Sequence, residues 1–235
     1  MTKAGKPALR VDVVTLFPQA FEGPVSESIL RRAQEKGILE ISFVNPRDFT
    51  ADRHRTVDDR PYGGGAGMLL MAEPLHRAIR SALPRRTRGS MVVLMSPQGK
   101  PLDQALARRL SRLKRLVLVC GHYEGVDERI MDFVDLELSI GDYVLTGGEL
   151  PAMVVTDAVA RLLPGVLSKE ESSVAESFTE GMLDYPQYTR PREWRGRKVP
   201  EVLLSGDHSR IREWRRTAAL KATRKKRAEL LTESK

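Results

Sequence analysis

The chain has 235 residues, 41% hydrophobic and 30% charged, with a formal net charge of +8. That length fits one large domain or a medium and a small one, and the apolar content excludes an intrinsically disordered chain. No apolar run approaches the ~18 residues of a spanning helix, the N-terminus shows no signal-peptide core, and the lone Cys120 excludes an intrachain disulfide framework, so a cytoplasmic protein with no membrane partner is expected.

Residues 11–17 are a short apolar run with β-branched members, which predicts a buried strand. Residues 26–36 predict a helix with Ser26 as N-cap and Gly37 as its C′ stop. Residues 39–44 alternate towards a strand and end at the Asn45-Pro46 turn signal. Residues 48–67 are polar, then glycine-rich, and predict a long loop. Residues 73–83 predict a helix with Leu75, Ile79 and Ala82 on one face. Residues 91–95 predict a buried strand closed by Ser96-Pro97, and 102–113 an amphipathic helix with arginines outward. Then follow a core strand at 116–120, a short helix at 127–133, a strand at 134–140, and a helix at 149–163 entered at Pro151.

Strands alternating with helices predict an α/β domain with a largely parallel sheet, ending near Pro164-Gly165. The expected organisation is a domain over 1–167, a polar linker over 168–184, and a small, basic, mostly helical domain over 185–235. In the last, Ile211, Trp214 and Ala218 form the expected buried stripe.

Arginines crowd 77–115 and 190–227, whereas 124–184 carries many carboxylates and few bases. A uniformly basic surface would only indicate attraction to anions. This pattern points to basic surfaces gripping phosphates around an acidic, chemistry-bearing middle.

The densest glycine cluster runs from Arg60 to Met68. No Gly-Lys-Ser/Thr follows it, so it is not a P-loop. The histidines His54, His76, His122 and His208 form no His-x-x-x-His pair and Cys120 has no cysteine partner, so no metal site is expected. Three glycine-bearing loops follow predicted core strands: 96–99, 120–129 and 139–151. Singly each is an ordinary connecting turn. Together they would line one edge of one sheet, where ligand crevices of open α/β sheets lie. Backbone groups there suit an adenine and ribose, with apolar side chains covering the ring.

These segments resemble the bacterial tRNA (guanine-N1)-methyltransferases that modify the base just 3′ of the anticodon. The matching stretches include Thr15-Leu16-Phe17-Pro18, Asp58 to Gly65, Ser96-Pro97-Gln98-Gly99, Cys120 to Arg129, Ser139 to Pro151, Pro164-Gly165-Val166-Leu167, Tyr188-Thr189-Arg190-Pro191 and Leu203-Leu204-Ser205-Gly206. They keep the family's order from about residue 9 onward.

The resemblance implies an α/β catalytic domain with a deep trefoil knot, an exception to the rule against threaded chains. It implies S-adenosylmethionine bent in that knot and an obligate homodimer whose partner completes each site. The donor pocket would use Leu94, Met95, Ser96, Pro97, Gly121, Tyr123, Glu124, Ser139, Ile140, Gly141, Asp142, Tyr143, Val144, Leu145, Gly147, Gly148 and Pro151. Ile140, Tyr143 and Leu145 would cover the adenine, and Glu124 would offset the donor's positive charge.

Guanine N1 carries a proton and is a poor nucleophile, so a general base must remove it while negative charge builds on O6. The resemblance assigns the O6 role to Arg161. The base falls on Glu176, where the family usually has aspartate followed by serine; Glu171 and Asp184 are the alternatives. Arg190, Arg192, Arg210, Arg215 and Arg216 would grip the anticodon stem-loop of tRNA, and the loop at Gly63 and Gly64 would help admit the splayed-out guanine. A knotted methyltransferase for rRNA or a ribose 2′-OH, and a non-catalytic RNA-binding homologue, remain the alternative functions at this point.

Overall fold

The computed structural model describes residues 6–167, 177–178 and 181–232. In chain order its first strands are β1 (Leu9–Val14), β2 (Leu39–Val44), the two-residue β3 (Asp58–Asp59) and β4 (Leu69–Leu70), β5 (Ser90–Pro101), β6 (Arg115–Cys120) and β7 (Leu136–Ser139). The helices are α1 (Glu22–Val25), α2 (Ser28–Glu35), α3 (Ala72–Ala82), α4 (Gln104–Ser111) and α5 (Glu149–Ala160). One sheet runs β2-β1-β6-β5-β7 with every neighbouring pair parallel, as expected for an α/β domain.

The strands read as apolar runs because both faces of the sheet are covered. Val11, Val13, Leu116, Leu118 and Cys120 point to one side, against residues of α2, α4 and α5. Val14, Val92, Leu94, Val117 and Val119 point to the other, against α3 and the 3-10 turn Glu128–Phe133. The charged exception among the described strand residues is Asp12, 1% exposed in the middle of β1. Arg115 Nε donates to it at 2.8 Å, Arg10 Nη2 at 2.9 Å and Ser42 Oγ at 2.5 Å, so the buried charge is fully paired.

Two local expectations are corrected. Ser26 does not cap the helix that follows. Its hydroxyl donates back to the carbonyls of Glu22 and Gly23, closing α1, while α2 starts after Glu27 without a side-chain cap. Nor does Ser96-Pro97 end a strand. β5 continues to Pro101, and both Met95 and Lys100 pair with Leu138 of β7, so residues 96–99 bulge outward between them. Gly99 permits this, because a Cβ there would lie 2.3 Å from the Leu138 nitrogen. The Gly37 stop holds, with φ +65 immediately after α2.

The chain separates into two compact units, residues 1–168 and 169–235. In the second, β8 (Glu193–Trp194) pairs antiparallel with β9 (Arg197–Lys198), a hairpin too short to leave a periodicity in sequence. Helix α6 (His208–Lys226) follows, its start capped by Asp207, which accepts from the amides of Ser209 and Arg210. The expected stripe of Ile211, Trp214 and Ala218 is half-buried, and the fully buried residues are Ala219 and Thr223. Thr223 explains the offset: its hydroxyl accepts from the Leu183 amide at 2.9 Å and donates to the Ala219 carbonyl at 2.8 Å. Among the described residues no helix is long and apolar enough to cross a membrane.

Candidate functional site

A cavity of about 270 Å³ opens at the carboxyl ends of β5, β6 and β7. The β5 bulge, the turn after β6 and the loop from β7 to α5 form its walls. All the residues assigned to the pocket in sequence line it except Asp142, which is exposed outside the lining.

The walls are fastened to one another by backbone. Gly148 donates to the Gly121 carbonyl at 2.8 Å, and His122 and Gly147 form an antiparallel bridge. A Cβ on Gly148 would stand 2.7 Å from the Cys120 α-carbon, so only glycine lets the loop lie against the end of β6. Ser139 shapes the third wall. Its hydroxyl donates to the Gly141 carbonyl at 3.0 Å and accepts from the Gly141 amide at 3.1 Å. The Tyr143 amide then bonds the same Gly141 carbonyl at 2.9 Å.

The lining also includes Gln98, His122, Gly125, Val126, Glu128, Met131, Glu137, Leu138 and Thr146, which the sequence reading did not assign. His122, Gly125, Val126 and Glu128 lie inside the 120–129 stretch already singled out. Glu137 and Leu138 come in through the β5 bulge, which no local pattern announces. Among the described residues the lining carries the carboxylates of Glu124, Glu128 and Glu137 and no lysine or arginine, so it favours a ligand with positive charge.

Asp127 stands between Val126 and Glu128 of the lining. It accepts from the Arg129 side chain at 2.8 and 2.6 Å and from the Arg129 amide at 3.0 Å, capping the 3-10 turn. The Arg129 guanidinium holds its carboxyl down at about 2. Cys120 sits behind the wall, and burial pushes its thiol well above its ordinary range.

The glycine cluster at 63–67 joins the pocket at one end. Glu124 donates its amide to the Met68 carbonyl at 3.1 Å, Leu70 to Gly125 at 3.0 Å and Asp127 to Leu70 at 2.9 Å. Gly63 and Gly64 are exposed at the outer end, with φ +86 and +82.

Arg161 is half-buried and terminates α5, its amide bonding the Asp157 carbonyl at 3.2 Å. Glu176 and Glu171 lie outside the described residues. Asp184 belongs to the second unit, where its carboxylate accepts from the Tyr185 amide at 2.8 Å and from Gln187 at 2.7 Å. There too, Arg190, Arg192, Arg210, Arg215 and Arg216 are exposed, and the Arg215 guanidinium stacks 4.9 Å from the Tyr185 ring. Among the described residues no group of three or more His, Cys, Asp or Glu is arranged to hold a metal ion.

A family model described as tRNA (Guanine-1)-methyltransferase TrmD matches residues 9–233. Relatives bearing the name tRNA (guanine-N(1)-)-methyltransferase are similar along almost the whole chain. That of Anaeromyxobacter dehalogenans is 58% identical over 226 residues, 95% of this chain and 91% of its own. That of Dictyoglomus turgidum is 56% identical over 223 residues, 95% and 90%. That of Pelotomaculum thermopropionicum is 56% identical over 228 residues, 96% and 91%. With a match that spans both units and every wall of the cavity, the chain belongs to the tRNA (guanine-1)-methyltransferase TrmD family.

Proposed function

We propose that the protein transfers a methyl group from S-adenosylmethionine to N1 of the guanine immediately 3′ of the anticodon of tRNA. The observation that carries this reading is the cavity at the three strand ends, acidic in its lining and walled by glycine backbone, in a member of this family.

The residues present fit such a donor. Glycine backbone at 121, 141, 147 and 148 lets adenosine lie close, and a Cβ at Gly141 would strike the Tyr143 ring at 2.5 Å. Ile140, Tyr143 and Leu145 offer apolar cover, and Glu124 offers charge opposite a sulfonium. The donor supplies an electrophilic methyl group when bound. The chain supplies the rest: Glu176 takes the N1 proton, and Arg161 faces the charge growing on O6. The knot belongs to this reading. It rests on the family to which the chain belongs.

A homodimer is supported by the outer face of α5. Leu150 and Val154 stand one turn apart there, 56% and 45% exposed, an apolar stripe that a lone subunit leaves in water. The anticodon stem-loop is assigned to the basic second unit. Its hairpin sets Trp194, 58% exposed, under the Arg195 guanidinium at 4.9 Å, a pairing suited to stacking and phosphate contact.

Incubation with labelled S-adenosylmethionine and total tRNA, followed by nucleoside mapping, tests the reading. The expected product is N1-methylguanosine next to the anticodon; a 2′-O-methyl nucleoside, or label in rRNA only, overturns it.

A further inference from the structure

Glu149 is the first residue of α5 and only 8% exposed, yet it is not part of the cavity lining. A buried carboxylate is costly unless its oxygens are used. One is: Oε1 accepts from the Thr15 hydroxyl at 2.7 Å, and Thr15 accepts in turn from the Phe17 amide at 2.9 Å. This ties the start of α5 to the end of β1 across 134 residues of chain.

The other oxygen lies near His122 without forming a hydrogen bond to it. A Cβ on Gly147 would lie 2.4 Å from Glu149 Oε2 and 2.8 Å from His122 Nδ1, so the two atoms flank the space that Gly147 leaves open. His122 Nδ1 is buried and has no hydrogen-bond partner among the described residues. A ring nitrogen buried beside a carboxylate oxygen is stabilised when it carries the proton. The imidazole also packs against Phe17 and Tyr123, with ring centroids 4.9 and 4.8 Å away. Tyr123 follows it at φ +58, where the chain turns along the pocket wall. The orientation of His122 therefore bears on the Gly121–Glu124 wall, and its own backbone bridges Gly147 on the opposite one.

We propose that Glu149 is a positioning residue for the donor pocket: it holds His122 as the Nδ1–H tautomer and, through Thr15, fixes the Gly147-Gly148 wall against the ends of β1 and β6. The link to methyl transfer rests on the function proposed above; the link between Glu149 and His122 does not.

The test uses the full-length protein labelled with ¹⁵N-histidine, without ligand and with S-adenosylhomocysteine. His122→Gln identifies the His122 signals among the four histidines. The wild-type imidazole is expected as the Nδ1–H tautomer. In Glu149→Gln the amide carbonyl keeps the Thr15 bond while its NH₂ turns to the ring, so the signal is expected to switch to Nε2–H. The dissociation constant for S-adenosylhomocysteine and KM for the donor are expected to rise about tenfold, because the ring proton moves to Nε2 and must find a new acceptor there, with kcat changed much less. Thr15→Val, which keeps the carboxylate, is expected to retain Nδ1–H and to weaken binding less. A wild-type Nε2–H tautomer, or an unchanged tautomer in a folded Glu149→Gln variant, overturns the proposal. So does a switch of tautomer with unaltered ligand affinity. If wild-type protein binds no S-adenosylhomocysteine, the functional reading fails while the tautomer measurement still decides the pairing.

Discussion

The α-carbon of Cys120 stands 2.7 Å from the point a β-carbon on Gly148 would occupy, and the amide nitrogen of Gly121 stands 2.9 Å from it. Both obstacles are backbone, so neither swings aside. In Gly148→Ala the loop and the first turn of α5 must lift away from β6, parting two walls of the cavity. The expected cost is ~1–3 kcal/mol of stability from overpacking, with a much larger loss of S-adenosylhomocysteine binding because the wall itself moves. Urea midpoints and calorimetric titration check the two effects separately. Unchanged affinity in this variant would mean that ligand is held elsewhere.

Asp127 gives a pH dependence with a definite sign. The Arg129 hydrogen bonds lower its folded carboxyl from the ordinary 3.8 to about 2. A depressed carboxyl stabilises the fold above its unfolded value and loses that contribution as pH falls towards its folded value. Asp127→Asn keeps a capping oxygen but removes the charge. It is expected to cost ~0.5–1 kcal/mol at pH 7, a discounted figure because the Arg129 side chain is 76% exposed and water screens the pair. The difference from wild type should shrink below pH 4 and vanish only below pH 2, as measured by urea unfolding across that range. A gap that widens on acidification would contradict the assignment.

Much of the first unit was legible in the residues because its strands are buried on both faces. The runs at β5 and β6 have apolar middles with no polar alternation to confuse, β1 keeps Leu9, Val11, Val13 and Val14 around Arg10 and Asp12, and the glycine-bearing loops follow β5 and β6. The β5 bulge was not legible. Ser96-Pro97 carries the local signature of a strand end, and only the non-local pairing of Lys100 and Pro101 with Leu138 and Ser139 overrides it. Ser26 misled for a similar reason: a good N-cap residue also closes the turn before it when the carbonyls of Glu22 and Gly23 lie in reach. His122 and Glu149 were invisible as a pair, because their neighbours in sequence suggest a turn and a helix start. Their approach depends on Gly147, whose missing side chain leaves the space that Glu149 Oε2 and His122 Nδ1 border.

The hairpin at Glu193–Lys198 should matter for RNA and not for the donor. Trp194→Ala removes the exposed ring under Arg195, and Arg197→Ala removes a charge from the opposite strand. Trp194→Ala is expected to weaken tRNA binding with little change in its salt dependence. Arg197→Ala is expected to lower the slope of log affinity against log salt by ~1 if that residue meets a phosphate. S-adenosylhomocysteine affinity should stay at the wild-type value in both. Filter binding over a salt series reads the first quantity and calorimetry the second, and equal loss of both would indicate misfolding instead.

The choice of general base turns on which carboxylates are already committed. Both oxygens of Asp184 accept hydrogen bonds, one from the Tyr185 amide and one from Gln187, and its own amide donates to Ser177. That network marks Asp184 as a turn residue, and the proposed base stays at Glu176. Glutamate has one methylene more than the aspartate usual in the family, so it reaches further but is harder to hold in line with N1. Glu176→Gln is expected to bind S-adenosylhomocysteine like wild type while methyl transfer falls by the ~10²–10⁴-fold of a lost general base. Glu176→Asp is expected to keep a substantial part of the activity, whereas Asp184→Asn should reduce stability more than turnover. Single-turnover assays on these three variants, each paired with a ligand titration, separate the roles. Near-normal turnover in Glu176→Gln would transfer the assignment to Glu171, the remaining alternative.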